Sequence, residues 1–363
     1  MMLAKFSVKN YRGFSERIEW DLATPNNYEF NTEVIKDGII KNGIIYGPNG
    51  SGKTNFGLAL FDIVNHLGQK WRKLDYYANF VYVGKLNVPV EFEYADRIIN
   101  YCYSKNNIGQ LLTEKLSVDN ILVFERTART FNIDTNEFPM ENTTKRNLKD
   151  NANNVSIINF LLTSYPLAKN HYLLTVLQFV DSMLWFRCLD TREFIGLDLA
   201  PTNLDEYIIQ NNLVKDFSEF LHQVSDQKYQ FANPRPNDKL LVCKIGGRDV
   251  IFDKIISTGT NALMLLYFWI QKMRSASFVF IDEFDAFYHF KLAFEVCKRL
   301  FALDCQVFTS SHNTYLMTND LLRPDCNFIV NNNKIKPLSA CTQKELRFGH
   351  NIEKLFRGNA FQL

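Results

Sequence analysis

An α/β fold is predicted, with a mixed sheet, an antiparallel β layer and a mostly helical inserted lobe, and three observations predict it. An apolar strand pattern runs directly into a glycine-rich loop and then into a helical pattern around residues 43–64. Stretches of period-two alternation cluster near the N-terminus, between residues 88 and 126, and again after residue 238. Helical patterns dominate residues 141–237, which splits the chain into a core of residues 1–140 and 238–363 and an inserted helical lobe.

Size and composition admit this architecture. The chain has 363 residues, enough for a large core. Lys plus Arg number 41 against 39 Asp plus Glu, so charge does not mark the whole chain as a polyanion binder, although a local basic face is compatible with it. The seven cysteines are scattered without a C-x-x-C pair, which suggests reduced thiols rather than a zinc site or a disulfide framework. Met1-Met2-Leu3-Ala4-Lys5-Phe6-Ser7-Val8 lacks the apolar segment of a signal peptide, and neither apolar stretch, 172–186 or 262–270, reads as a membrane span. A cytoplasmic location away from membranes is the expectation.

In chain order, Lys5–Tyr11 and Ile18–Leu22 alternate around Arg12-Gly13-Phe14, as in a β-hairpin, and the third strand is Gly43-Ile44-Ile45-Tyr46. Arg12 reads either as a solvated turn residue or as one placed to reach a ligand at the following loop. That loop is Gly47-Pro48-Asn49-Gly50-Ser51-Gly52-Lys53-Thr54, a full match to G-x-x-x-x-G-K-[ST] between a strand and a helix. Its glycines let backbone N–H groups turn onto phosphate oxygens, at a helix start that carries partial positive charge. Lys53 is expected to reach the β- and γ-phosphates of ATP, and Thr54 to offer its hydroxyl to Mg²⁺. Asn55 opens the helix read over 55–64.

Further strands are expected at 88–94, 98–103, 116–118 and 121–126, forming one antiparallel layer. Asn- and Lys-rich residues 142–147 and 151–154 read as a polar surface loop, followed by helices over 156–164, 171–186 and 202–224. The segments 240–245 and 249–252 flank Gly246-Gly247, a hairpin that returns the chain to the sheet. Ser257-Thr258-Gly259-Thr260 then precedes a helix over 261–273, and reads either as a second anion cradle or as an ordinary helix cap.

The strand Phe278-Val279-Phe280-Ile281 ends in Asp282-Glu283. A buried strand that delivers two carboxylates to a sheet edge suits Asp282 to hold Mg²⁺ together with Thr54, and Glu283 to orient and deprotonate an attacking water. The strand Gln306-Val307-Phe308-Thr309 leads through Ser310-Ser311 to His312, placed at the same edge to bond a γ-phosphate or that water. Asp285 reads as either a subunit contact or a helix cap. An edge hairpin over 328–338 follows, and then a terminal helix over 343–356 on which Arg347, His350 and Lys354 share a face.

The order N-Y-R-G-F, G-P-N-G-S-G-K-T, S-T-G-T, F-V-F-I-D-E-F-D and T-S-S-H-N resembles the ABC-type ATPases of the SMC and RecF branch. Within it the chain looks most like the compact OLD-like ATPases, the fifteenth AAA-labelled subgroup of bacterial phage defence. Leu321-Leu322-Arg323-Pro324-Asp325 and the run from Leu346 to Leu355 share that likeness, while residues 60–240 match loosely.

The resemblance implies an ABC-type core whose two copies sandwich ATP. Ser257 and Gly259 of one copy cover the γ-phosphate held by Lys53 of the other, and Arg12 touches nucleotide in cis. It also implies a regulatory ATPase that controls a separately encoded effector, expected to be a nuclease, since no acidic nuclease motif follows His312. The competing expectation is a DNA-repair or chromosome-maintenance ATPase that binds duplex DNA. Two departures stand out: the signature is S-T-G-T rather than L-S-G-G, and no glutamine is assigned to a Mg²⁺-sensing loop.

Overall fold

The computed structural model describes residues 1–68, 89–152, 155–187, 194–196, 203–235, 237–331 and 333–362. The chain opens with β1 (Lys5–Lys9), β2 (Ile18–Asp21), the short ribbon β3 (Ile35–Lys36) and β4 (Ile39–Ile40), and β5 (Asn42–Tyr46). Helices α1 (Lys53–Leu60) and α2 (Asp62–Leu67) follow, then β6 (Val90–Ala95), β7 (Ile99–Lys105), β8 (Leu111–Val118), β9 (Ile121–Arg126) and β10 (Phe131–Ile133). The middle of the chain contains α3 (Asn142–Asp150), α4 (Ile157–Ser164), α5 (Tyr172–Asp181), β11 (Leu184–Arg187), β12 (Phe194–Gly196), α6 (Leu204–Gln210) and α7 (Val214–Ser225). The last third adds β13 (Val242–Ile245), β14 (Arg248–Ile251), α8 (Thr258–Met273), β15 (Phe278–Asp282), α9 (Phe290–Phe301), β16 (Gln306–Ser311), β17 (Asn327–Asn331), β18 (Lys334–Pro337) and α10 (Ile352–Arg357).

Among the described residues two seven-stranded sheets carry the fold, a mixed sheet and an antiparallel layer as the sequence predicts. The antiparallel layer runs β10-β9-β8-β7-β6-β1-β2. The second sheet runs β12-β11-β15-β16-β5-β17-β18, with β11, β15, β16, β5 and β17 parallel and the two edge strands antiparallel. The parallel strands read as near-continuous apolar runs because both their faces are covered: every residue of β5, β15 and β16 is buried. Trp20 of β2 is the hub of the core between the layers, with ring centroids 4.6 Å from Phe308, 5.3 Å from Phe56 and 5.6 Å from Phe328. Burying such a ring contributes roughly 2–3 kcal/mol, and the edge-to-face contacts add to it.

Several expected elements are placed differently. The helix read over 171–186 stops at Asp181, and Leu184–Arg187 becomes β11, paired in parallel with β15. Residues 142–147, read as loop, form α3; its one buried side chain is Leu148, and the Leu148 carbonyl accepts from the buried Arg126 Nη1 at 2.9 Å. The helix read over 202–224 is two, α6 and α7, divided where Asn212 takes φ 56°. The β13–β14 hairpin forms a sheet of its own instead of rejoining the core.

At the C-terminus only Ile352–Arg357 is helical. Arg347 and His350 lie in the preceding turn, where the Arg347 N–H donates to His350 Nδ1 at 3.1 Å. Val88, Asn153, Asn154, Cys188 and Thr202 lie outside the described residues. Among the described residues no helix is long and apolar enough to cross a membrane.

Candidate nucleotide-binding site

Three neighbouring parallel strands end at one edge of the mixed sheet. Register pairs Ser311 with Tyr46 and Ile281 with Thr309, so β5 delivers the glycine-rich loop beside the ends of β16 and β15. The loop's tip, Pro48-Asn49-Gly50, is exposed, and its base is clamped. Gly52 takes φ 99°, and a Cβ there would stand 2.8 Å from Phe14 Cε1. At Gly47 a Cβ would meet Ser51 Oγ at 2.5 Å and the Val330 carbonyl at 2.6 Å. These glycines are therefore demanded by the backbone and its neighbours, independently of any ligand.

Lys53 opens α1 and is 6 % exposed. Its Nζ donates to the carbonyls of Gly47 at 2.8 Å and Pro48 at 3.2 Å, bending the side chain back over the loop. Burial lowers the ammonium pKa, opposed by the negative charges of Asp282 and Glu283. Thr54 Oγ1 donates to Asp282 Oδ2 at 2.8 Å, and Asp282 is completely buried. Its other oxygen, Oδ1, accepts from Ser310 Oγ at 2.7 Å, and that hydroxyl in turn accepts the Glu283 N–H at 2.8 Å. Glu283 sits at φ 50°, a left-handed conformation that costs a non-glycine residue on the order of 1 kcal/mol. The bond to Ser310 holds it there.

His312 is exposed at the end of β16. Partial desolvation and then the charge of Lys53 lower its pKa, while Glu283, Asp285 and Asp282 oppose the shift. The imidazole is thus neutral near pH 7, and its coupling to Lys53 and Glu283 places it in their electrostatic neighbourhood. Asp285 accepts from Ser311 Oγ at 2.7 Å, and burial raises its pKa.

Arg12, at φ 48° in the turn after β1, donates from Nη1 to Asn55 Oδ1 at 3.3 Å, so the N-terminal hairpin touches α1 beside the loop. Ser257 and Gly259 belong to the start of α8, where a Cβ on Gly259 would stand 3.4 Å from the Phe287 carbonyl. Ser257 is the exposed N-cap of α8, its Oγ accepting the Thr260 N–H at 3.2 Å, so it satisfies the cap reading, and Gly259 lies half-buried in the first helical turn.

Two neighbours of Asp282 escape sequence reasoning. Ser310 is visible only as one hydroxyl in a buried T-S-S run. Arg187 sits directly across the strand register from Asp282, and its Nε donates to Asp282 Oδ2 at 3.1 Å.

These residues fit a nucleotide with Mg²⁺. Among the described residues the buried Ser51 hydroxyl of the loop has no hydrogen-bond partner, and no side chain caps the N-terminus of α1 at Gly52. A phosphate oxygen satisfies both kinds of donor. With its proton committed to Asp282, Thr54 Oγ1 keeps lone pairs for a cation, and the hard oxygen donors suit Mg²⁺.

The chain matches no protein-family model and no curated protein. It is similar to solved SMC head domains. One is an SMC head bound to the C-terminal winged-helix domain of ScpA, with 14% identity and TM-score 0.46 over 93% of this chain and 96% of that one. A second is the SMC head domain from Thermotoga maritima, with 14% identity and TM-score 0.45 over 93% and 99%. A third is an Smc head domain with an extended coiled coil, bound to the C-terminal domain of ScpA derived from Pyrococcus furiosus, with 13% identity and TM-score 0.41 over 92% and 95%.

Proposed function

We propose that this chain binds ATP with Mg²⁺ and hydrolyses it to ADP and phosphate. The observation that carries the reading is the hydrogen-bonded set Thr54–Asp282–Ser310–Glu283, which ties the phosphate loop to two carboxylates from a strand 228 residues away in sequence.

Mg²⁺, when bound, supplies charge neutralisation on the phosphoryl group undergoing transfer. Thr54 and Asp282 would hold it. The chain's own residues do the rest. Lys53 leaves its loop carbonyls to pair with phosphate oxygens, the loop N–H groups and the Ser51 hydroxyl hold the remaining oxygens, and Arg12 and Asn55 flank the nucleotide. Glu283 accepts the proton of an attacking water, and the neutral imidazole of His312 positions that water or a γ-oxygen. Preorganisation comes from Ser310, which fixes both carboxyl-bearing residues before ligand arrives.

The order of motifs, that of an SMC- and RecF-like ABC ATPase, supports two copies closing on ATP, with the exposed Ser257 and the half-buried Gly259 of each reaching the other's nucleotide. ATP binding favours closure only through such differential contacts. In the same reading residues 141–237 form a lobe attached to an ATPase core, with 184–187 and 194–196 lending strands to the core sheet. The closed dimer regulates a separately encoded anti-phage effector, a nuclease.

Nucleotide binding by Lys53→Ala at the wild-type level would falsify the site. Glu283→Gln is expected to accumulate an ATP-bound dimer in size-exclusion chromatography, and a monomer under saturating ATP rejects the sandwich. Purification with and without ATP tests the regulatory role. A co-purifying protein effector supports it, and recovery of duplex DNA with steep salt dependence replaces it with chromosome maintenance.

A further inference from the structure

Asp282 is a carboxylate with no exposed surface, and an ion so placed needs an opposite charge. Arg187 provides one. It ends β11, stands opposite Asp282 in the parallel register with β15, and brings its Nε to 3.1 Å from Oδ2. That is the same oxygen that takes the Thr54 proton at 2.8 Å. The guanidinium lies with its carbon 5.9 Å from the centroid of the Trp185 ring, and the Arg187 side chain is 22 % exposed, so one side of it reaches solvent.

We propose that Arg187 is a built-in counter-cation of the metal site: it occupies Asp282 Oδ2 when no metal is bound and is displaced from that oxygen when Mg²⁺ arrives with nucleotide. This rests on the assignment of Thr54 and Asp282 to Mg²⁺. Two cations on one buried oxygen repel strongly where water is excluded, so Arg187 and Mg²⁺ compete for it. Asp282 accepts from Ser310 on Oδ1 and from Thr54 on Oδ2 irrespective of Arg187, so the carboxylate stays oriented while the cation on it changes.

Two consequences follow. Metal affinity is held below what the oxygen ligands alone would give. The end of β11 also reports metal occupancy, because the arginine must move when the metal binds. Arg187 accordingly acts on the metal through the charge of Asp282, and not on the phosphate.

The test is the ratio of dissociation constants for a non-hydrolysable ATP analogue measured calorimetrically in EDTA and in saturating Mg²⁺, a quantity independent of turnover. With the competing cation removed, Arg187→Gln is expected to raise this metal advantage about tenfold, the scale of a close charge pair. Arg187→Lys keeps a charge but loses the planar Nε contact, and is expected to fall between Arg187→Gln and wild type, which keeps the question answerable if the glutamine variant misfolds. An unchanged or reduced ratio in either folded variant overturns the proposal. A wild-type protein that binds the analogue in neither condition also overturns it, and this outcome is distinct because there the nucleotide site itself has failed.

Discussion

Ser310 Oγ accepts the backbone N–H of Glu283 at 2.8 Å while donating its own proton to Asp282 Oδ1 at 2.7 Å. One hydroxyl on β16 thereby holds a buried carboxylate and an adjacent residue at positive φ. Ser310→Ala leaves two groups unsatisfied, each costing about 1–3 kcal/mol. The expected result is lower stability in urea unfolding and a loss of ATP turnover of about tenfold to a hundredfold, with nucleotide affinity within a few-fold of wild type because the loop and Lys53 are untouched. Equal losses of affinity and turnover would show that Ser310 supports the loop rather than Glu283.

Phe14 and Gly52 form the steric contact that sets the loop against the N-terminal turn. Gly52→Ala introduces a Cβ 2.8 Å from Phe14 Cε1 and a side chain at φ 99°. It is expected to cost about 2–4 kcal/mol, part steric and part backbone. Adding Phe14→Leu relieves only the steric part, so a double-mutant cycle should show a favourable coupling of about 1 kcal/mol in thermal unfolding. Strict additivity would mean that the φ requirement alone demands glycine.

Below α2 lies a fully buried ion pair, Glu114 with Arg126, each with 0 % side-chain exposure. Glu114 also accepts from Tyr101 at 2.6 Å, Ser156 at 2.7 Å and the Ile157 N–H at 2.9 Å, and Arg126 donates to the Leu148 and Val155 carbonyls. The pair therefore ties the antiparallel layer to α3 and α4. Arg126→Met strands a buried carboxylate and is expected to cost about 3–5 kcal/mol, with Glu114→Gln in the same chain recovering part of the loss. Urea unfolding of the two singles and the double checks this, and no recovery in the double would assign the cost to the lost carbonyl contacts.

The strands that deliver the site were legible because each is an apolar run ended by an abrupt polar motif, at Gly47, at Asp282 and at Ser310 to His312. What was not legible lies where tertiary contacts override local pattern. Between Val180 and Met183 only the pair Asp181-Ser182 interrupts the apolar positions that lead into β11, and an amphipathic helix accommodates such a pair on its polar face, so the change from helix to strand, and Arg187 with it, leaves little mark in periodicity. α3 is Asn-, Thr- and Lys-rich with one buried apolar side chain, and the Arg126 contact at Leu148 anchors it. At the C-terminus Asn319 Nδ2 binds the carbonyls of Arg347 and Phe348, at 3.0 and 2.9 Å, keeping that stretch out of the helix its pattern suggests.

His66, on α2 directly after the phosphate-loop helix, makes stability acid-sensitive. Its side chain is 5 % exposed, stacks 4.1 Å from Tyr103, and meets the Tyr101 hydroxyl at 2.6 Å. Tyr101 commits its proton to Glu114, so neutral His66 donates from Nε2. Desolvation lowers the pKa from the ordinary 6.5; Lys105 adds to this, while Glu114 and Asp62 oppose it without reversing it. A depressed pKa means that the unfolded chain binds the proton first. The stabilising contribution is therefore complete above 6.5 and declines as pH falls from there through the folded value, at up to about 1.4 kcal/mol per pH unit. Asp285 acts with opposite sign, because burial raises its pKa and favours the folded chain below the ordinary 3.8. The difference between wild type and His66→Gln, which keeps a donor for Tyr101, isolates the histidine. Their unfolding free energies should differ by a constant amount above pH 7 and converge, or cross, on acidification below 6.5. Parallel curves throughout would mean that His66 titrates alike in the folded and unfolded chains.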